Sequence, residues 1–350
     1  MAAPAAPAFS YTSIAVVSTG GFAESFLHGL LQAKHYTTIR AVTRKPLETD
    51  HVKTKRIELL RSLGAQICYY NEESVEAFTQ AFQDIEVVLS AVSVPAVASQ
   101  IPMIDGALAA GVKWFLPSAF GVTHYISRHL PIEGPLDAMV PVQKYLEQVR
   151  ERGMASTIVY TGLSMDFLDP RSIGLNVHKR SATLVGRGGS RVSFTTLADT
   201  QKLVLSILDR PAEMQNRVIR YAGSTCNMRE LVKLVTGNDR GENVRMLSIC
   251  EAKNKLCEMA MKKDNMAFFM YCRILIEEGL AQIDRNPDEH LDNDLFPDIH
   301  PQHIFDTLKL LIARAEASKS SASEPNGISA SNSSAEDSSA APAAATAQPV

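Results

Sequence analysis

The sequence predicts an α/β fold: a doubly wound parallel sheet, Rossmann-like, with a smaller and mostly helical substrate-covering domain. Three observations predict it. Apolar strand-like runs alternate with helix-like stretches from Tyr11 to Tyr160. The first of those runs turns through glycine into a helix. After Thr161 the alternation gives way to short strands and longer helices. Strict alternation implies a sheet covered on both faces, and right-handed crossovers put ligands at the carboxyl ends of its strands.

Residues 1–10 are Ala/Pro-rich and read as a disordered leader. Ile14 to Val17 is a strand, Ser18 to Gly21 a turn, and Phe22, Phe26, Leu27, Leu30 and Leu31 recur at helical spacing. A helix entered through glycine aims its free N–H groups past the strand end, which suits a pyrophosphate. Spacing by threes through Gly20 puts Val17 and Ala23 where a dinucleotide fingerprint has glycines, so an ordinary βα unit reads equally well here. Thr38 to Thr43 is a second strand, ending in Thr43-Arg44-Lys45-Pro46. An acidic residue there would hold ribose hydroxyls; two cations match a 2′-phosphate, or else form a solvated basic loop.

Lys53–Leu63 reads as helix, Ala65–Tyr70 as a third strand and Val75–Phe82 as a short helix. Ile85–Val92 is a fourth strand, Val97–Ala110 a helix with a small-residue face, and Val112–Leu116 a fifth strand. Val140–Arg152 is a helix and Ala155–Tyr160 a sixth strand. Beyond it, strands Ser181–Val185 and Arg191–Thr195 flank Gly186 to Gly189, which reads as a hairpin turn. Leu197–Leu208 is an amphipathic helix with Asp199 in its first turn, and Val218–Ala222 is a strand. Cys226–Thr236, Ile249–Met261, Phe268–Leu280 and His303–Ala315 are helices, and Asp284–Pro301 is an acidic loop. Residues 317–350 are Ser/Ala-rich and read as a disordered tail. The expected division is 11–165 for the nucleotide-type domain with 192–222 packed onto it, and 166–191 with 223–316 for the covering part.

The chain has 350 residues, 45% hydrophobic and 21% charged, with a formal net charge of −3. That balance recommends neither nucleic acid nor an anionic membrane as partner. No apolar run is long enough to span a bilayer, and MAAPAAPAFSY has no basic residue ahead of its apolar part, so a secretory signal is not expected. Five scattered cysteines without a Cys-x-x-Cys pair fit reduced thiols and a cytoplasmic setting. His290, His300 and His303 match no metal template, and no metal is expected.

The stretch Ala109 to Gly121, AAGVKWFLPSAFG, resembles the AGVKRFLPSEFG signature of the NmrA-like and isoflavone-reductase-like proteins, which are atypical short-chain dehydrogenases. The resemblance runs roughly from Ser13 to Leu311 and is strongest toward fungal secondary-metabolism members. It takes in the glycine turn, the basic end of strand two, DIEVVLSAVS, YTGLSMDFL and FTTLADTQKLVLSILDRPAEMQNRVIRYAG.

The resemblance implies NADP(H) as cofactor and reduction of a small, largely apolar or aromatic metabolite. Thr19, Gly20, Gly21 and Phe22 then hold the pyrophosphate side, and Arg44 and Lys45 the 2′-phosphate. Ser118 and Phe120 shape the nicotinamide end. Lys144 holds the cofactor ribose or moves a proton, against the bland reading of a solvated helix lysine. His124 is a second proton-transfer candidate, although a lone loop histidine more often faces solvent. Tyr125, Tyr160, Met165 and Phe167 line the substrate pocket; core packing accounts for the last three nearly as well.

Departures accompany the match. Val17 is expected to crowd the tight turn, and Ala23 to press the helix off the strand. Val140 stands where ordinary short-chain dehydrogenases have Tyr, and Ala119 and Thr123 replace the family's Glu and Asp. These changes keep two other readings open: an NADP-sensing regulator that binds a protein partner, and a redox-neutral isomerase, dehydratase or cyclase on the same fold.

Overall fold

The computed structural model describes residues 10–123, 137–167, 173–238, 241–264 and 266–321. Six strands form the central sheet: β1 (Ser13–Val17), β2 (Thr38–Arg44), β3 (Gln66–Tyr70), β4 (Val87–Ser90), β5 (Trp114–Leu116) and β6 (Ala155–Ser156). Their order is β3-β2-β1-β4-β5-β6, with every pairing parallel. Helices α1 (Phe22–Ala33), α2 (His51–Ser62), α3 (Val75–Ala81), α4 (Gln100–Ala109) and α5 (Met139–Arg150) make the crossovers. The strand order reverses between β1 and β4, which opens a crevice at their carboxyl ends.

Period-two alternation splits β1 between two cores. Ile14 and Val16 pack with Phe26, Leu27 and Leu30 of α1, while Ala15 and Val17 pack with Val42, Val88, Phe78 and Ile104 on the other face. Val17 therefore does not project into the turn as expected. Its side chain continues the strand's inward alternation and is fully buried in the second core. The backbone irregularity falls on Ser18 instead, at φ 95°.

The expected sixth strand is broken at Thr157. Only Ala155 and Ser156 join the central sheet; β7 (Ile158–Tyr160) pairs with β12 (Val218–Arg220) instead. Thr157 is held at the break, accepting a hydrogen bond from Trp114 Nε1 (2.9 Å) and donating to the Met214 carbonyl (2.6 Å). Between these elements lie β8 (Leu163–Ser164), β9 (Leu175–Asn176), β10 (Ser181–Val185), β11 (Arg191–Thr195), α6 (Leu197–Leu208) and α7 (Pro211–Met214).

Strand β11 pairs with β8 and with β13 (Ser224–Asn227). Its Val192 and Phe194 share a third core with Leu231 and Val232 of α8 (Met228–Thr236). Helix α6 packs elsewhere, placing Leu203, Val204 and Ile207 against α1 in the first core. The helix expected from Cys226 starts later, because Ser224 to Asn227 pair with β11 and Asn227 closes a reciprocal cap with Glu230.

Gly186 to Gly189 is not a hairpin turn. Strand β10 pairs with β9 and with β14 (Val244–Leu247), in a different sheet from β11. The loop is anchored by Glu277, whose carboxylate accepts the Arg187 and Gly188 N–H groups at 2.8 and 2.9 Å. Glu277 ends α10 (Ala267–Glu277), which follows α9 (Ile249–Met261). The last helix, α11 (Ile304–Ser321), runs beyond residue 317, where the tail was expected to begin. Among the described residues no helix is long and apolar enough to cross a membrane, and no group of three or more His, Cys, Asp or Glu could hold a metal ion.

Asp199 joins α6 to the segment before α11. Its carboxylate accepts the Gln302 N–H (2.9 Å) and the Thr196 hydroxyl (2.7 Å), and Lys202 Nζ lies 3.0 Å away. Burial opposes the charge, but these donors outweigh it and hold the pKa below the ordinary 3.8. A carboxyl held down on folding adds stability above its unfolded pKa and loses it as pH falls through the folded one. Wild-type protein is thus expected to lose stability as acid passes below 3.8, with Asp199→Asn starting less stable and losing less. Urea unfolding of both chains from neutral to acid pH checks this; parallel curves would contradict it.

Candidate functional site

The turn from β1 to α1 sits at the β1/β4 crevice. The Ser18 N–H donates to the Val42 carbonyl (2.8 Å) and the Ala91 N–H donates to the Val17 carbonyl (3.1 Å), so both neighbouring strands hold it. Thr19 is buried in the turn. Gly21 is the N-cap of α1, at φ 55°, and the helix has no side-chain cap. The Ala23 N–H donates to the Gly20 carbonyl (3.1 Å), and at this end of the helix the dipole favours a negative charge beyond the strand end.

A Cβ on Gly20 would lie 3.3 Å from Nη1 of Arg56, so a guanidinium from α2 rests directly on the turn. Arg56 Nε is 2.8 Å from Glu24 in the first turn of α1. Arg44 at the end of β2 is ion-paired with Glu73, and Lys45 beside it is exposed. Burial pushes the Lys53 ammonium below the lysine range; Asp50 opposes this, while Arg44 and Arg56 add to it. Lys53 thus sits within electrostatic reach of both Arg44 and Arg56, and Arg56 rests on the glycine turn.

Lys53 and Arg56 escape a reading of the sequence alone because helix charges normally face solvent. The signal was their register: each stands four residues before a buried apolar residue, Ile57 and Leu60, which brings both onto the inner edge of α2.

The crevice floor is built from small residues and fixed amides. Ser118 donates its hydroxyl to the Val92 carbonyl (2.8 Å), and its N–H donates to Oε1 of the fully buried Gln100 (2.7 Å). These bonds tie the ends of β4 and β5 together. Phe120 turns back against α1, with its ring centroid 5.6 Å from Phe22 and 5.0 Å from Phe26. Phe22 therefore braces the end of β5 against the glycine turn. Ala23 packs into the first core without a gap.

Lys144 is exposed on α5, on the side away from the buried residues Met139, Val142, Leu146 and Val149. Its neighbour Gln143 turns inward and donates its amide to the Tyr160 hydroxyl. Tyr160 is buried, with the Arg220 guanidinium 5.8 Å above its ring, and Arg220 pairs with Glu289 at 3.2 Å. Met165 is buried in the third core, where Thr307 Oγ1 approaches its sulfur at 3.5 Å. Tyr160 and Met165 thus pack as core residues, and Phe167 ends the 3₁₀ turn that Met165 begins. His124 and Tyr125 lie outside the described residues.

The arrangement can take a flat, doubly anionic ligand along the carboxyl edge of the sheet, with cations at the β2 end and small residues at the β4/β5 end. The chain resembles the oxidoreductase aprR of Aspergillus flavus, 26% identical over 242 residues, covering 65% of this chain and 75% of that protein. It also resembles the isoflavone reductase homolog P3 of Arabidopsis thaliana, 26% identical over 231 residues, covering 64% of this chain and 73% of that one. In three dimensions it is similar to AtPrR2, solved with NADP+ and (+)pinoresinol, with a TM-score of 0.70 at 18% identity. That match covers 86% of this chain and 99% of AtPrR2. The model of the NmrA-like family matches residues 11–276, and the chain belongs to that family.

Proposed function

We propose that this protein is an NADP(H)-dependent oxidoreductase that reduces a small, largely apolar or aromatic metabolite, with secondary-metabolite biosynthesis as its setting. The observation that carries the reading is the group of Arg44, Lys53 and Arg56 beside an uncapped helix N-terminus at the strand-order reversal. Such a site fits a dinucleotide with an extra phosphate on the adenosine ribose. The names of its relatives, an oxidoreductase and an isoflavone reductase homolog, support the same reading.

Thr19, Gly20, Gly21 and Phe22 form the pyrophosphate turn, with Gly20 leaving room that a side chain would fill. Arg44 and Lys53 take the 2′-phosphate, with Lys45 adding charge from the exposed edge. Bound NADPH supplies the hydride. Ser118 and the small residues around it let the nicotinamide lie close to the sheet ends, and Phe120 keeps the end of β5 against α1. Lys144, by its match to the family position, is assigned the cofactor ribose or a proton transfer, and His124 a proton transfer. By the family resemblance Tyr125 and Phe167 are assigned to the substrate pocket, while Tyr160 and Met165 pack in the cores.

A second reading keeps the cofactor and drops the reaction: an NADP-sensing regulator that binds a protein partner. It is favoured by the exposure of Lys144 on the side of α5 away from the core. Consumption of NADPH with a panel of aromatic ketones, enones and benzylic ethers separates the two. The reductase reading expects turnover with at least one class and a loss of about a hundredfold or more in Lys144→Ala. Binding of NADPH without turnover of any class would favour the sensor.

A further inference from the structure

We infer that Arg56 is a phosphate-gripping residue of the dinucleotide site, a side-chain donor at the pyrophosphate held over the glycine turn. The inference rests on the NADP(H) reading above.

The geometry starts with α2. Asp50 caps the helix by accepting the Lys53 N–H (2.9 Å), and buried Ile57 and Leu60 fix its rotation. That rotation carries Arg56 across to α1. Its Nε is held 2.8 Å from Glu24, and its Nη1 would meet a Cβ on Gly20 at 3.3 Å. One edge of the planar guanidinium is therefore occupied by a carboxylate, and the other lies on the turn. A guanidinium has five N–H donors in a fixed fork, so it can hold both a carboxylate and a phosphate oxygen.

The charge arrangement points the same way. Glu24 stands in the first turn of α1, where a carboxylate suits the helix dipole but repels an incoming pyrophosphate. Arg56 neutralises it in place. Lys53 and Arg44 add two more cations close by, although like charges this near cost stability. A simple ion pair between α1 and α2 would account for the Nε contact. At 26% and 34% side-chain exposure, such a pair contributes little, and it does not require Nη1 to rest on the glycine turn.

Val17 and Ala23 stand at glycine positions of the dinucleotide fingerprint with their side chains buried in the two cores, so the turn keeps its room. A charged side-chain donor over Gly20 adds a charge-assisted hydrogen bond to those the backbone can give.

Calorimetric titration of the full chain with NADPH and with 2′-AMP tests the assignment, since 2′-AMP carries the 2′-phosphate and no pyrophosphate. Arg56→Ala is expected to weaken NADPH about tenfold or more and to leave 2′-AMP within about twofold. Arg44→Ala is expected to weaken both. Glu24→Gln breaks the same ion pair but keeps the guanidinium, so it should match Arg56→Ala in thermal midpoint and bind NADPH at least as tightly as wild type. Three results overturn the assignment of Arg56 alone: wild-type NADPH affinity in Arg56→Ala, equal weakening of NADPH and 2′-AMP in that variant, or equal loss of NADPH affinity in Glu24→Gln. Failure of the wild-type chain to bind NADPH would instead overturn the NADP(H) reading, and this inference with it.

Discussion

Gly162→Ala is expected to destabilise the protein by about 4 kcal/mol, combining left-handed backbone strain with a steric clash. Gly162 sits at φ +70°, and a Cβ there would come within 2.2 Å of the Ser193 carbonyl oxygen. Neither cost can be relieved alone. Ser193 lies in β11, paired on both sides, while Gly162 joins β7 to β8. The Thr161 and Gly162 N–H groups also both donate to the Gly121 carbonyl, at 3.1 and 3.0 Å. The substitution therefore pulls on the segment that ends β5, and cofactor affinity should fall with stability. Gly111→Ala is the control. It has a positive φ of +80° and nothing within 4 Å of the added carbon, so it carries strain without a clash. Its expected cost is about 1 kcal/mol. Urea unfolding of both variants checks the pair, and equal losses would show that the contact with Ser193 is relieved by movement.

Arg44→Ala is expected to weaken NADPH by about 30- to 100-fold, the loss of one to two charge-assisted hydrogen bonds to a phosphate, while leaving NADH nearly unchanged. The pair with Glu73 holds the guanidinium at the end of β2, and Tyr70 lies against the same charges. Lys53→Ala should act in the same direction and reduce the pH dependence of NADPH binding. In wild type, burial holds its pKa below the ordinary 10.5, so binding a phosphate favours proton uptake. Affinity for NADPH should then fall as pH rises through that depressed pKa, and Lys53→Ala should flatten the fall. Titrations across pH with both nucleotides check this. A loss of NADH affinity as large as that of NADPH in Arg44→Ala would remove Arg44 from the 2′-phosphate.

Much of the fold could be read from residue pattern because its signals are local. The apolar face of Leu197–Leu208, with Thr196 as N-cap, marks α6 to the residue. The same holds for α9, where Ser248 and Glu251 form a reciprocal cap. What pattern does not carry is choice of partner. Ile158 to Tyr160 look like a continuation of the sixth strand, yet they leave the sheet because Thr157 is bound by Trp114 and Met214 from elsewhere in the chain. Gly186 to Gly189 looks like a hairpin, yet its flanking strands belong to different sheets.

The site divides in the same way. The glycine turn and Arg44 announce themselves by spacing from the first strand. Lys53 and Arg56 become visible only when α2 is packed and its inner edge faces α1. On α5, the family resemblance marks Lys144, while packing turns its neighbour Gln143 inward to Tyr160. Val17 shows the converse: an expected obstruction disappears once the strand's alternation sends its side chain into the core.

The most direct test is calorimetric titration of the full wild-type chain with NADPH and with NADH. Saturable one-site binding of NADPH in roughly the micromolar range is expected, with NADH weaker by at least about 30-fold. No binding of NADPH up to about millimolar concentration, or equal affinity for the two nucleotides, would contradict it.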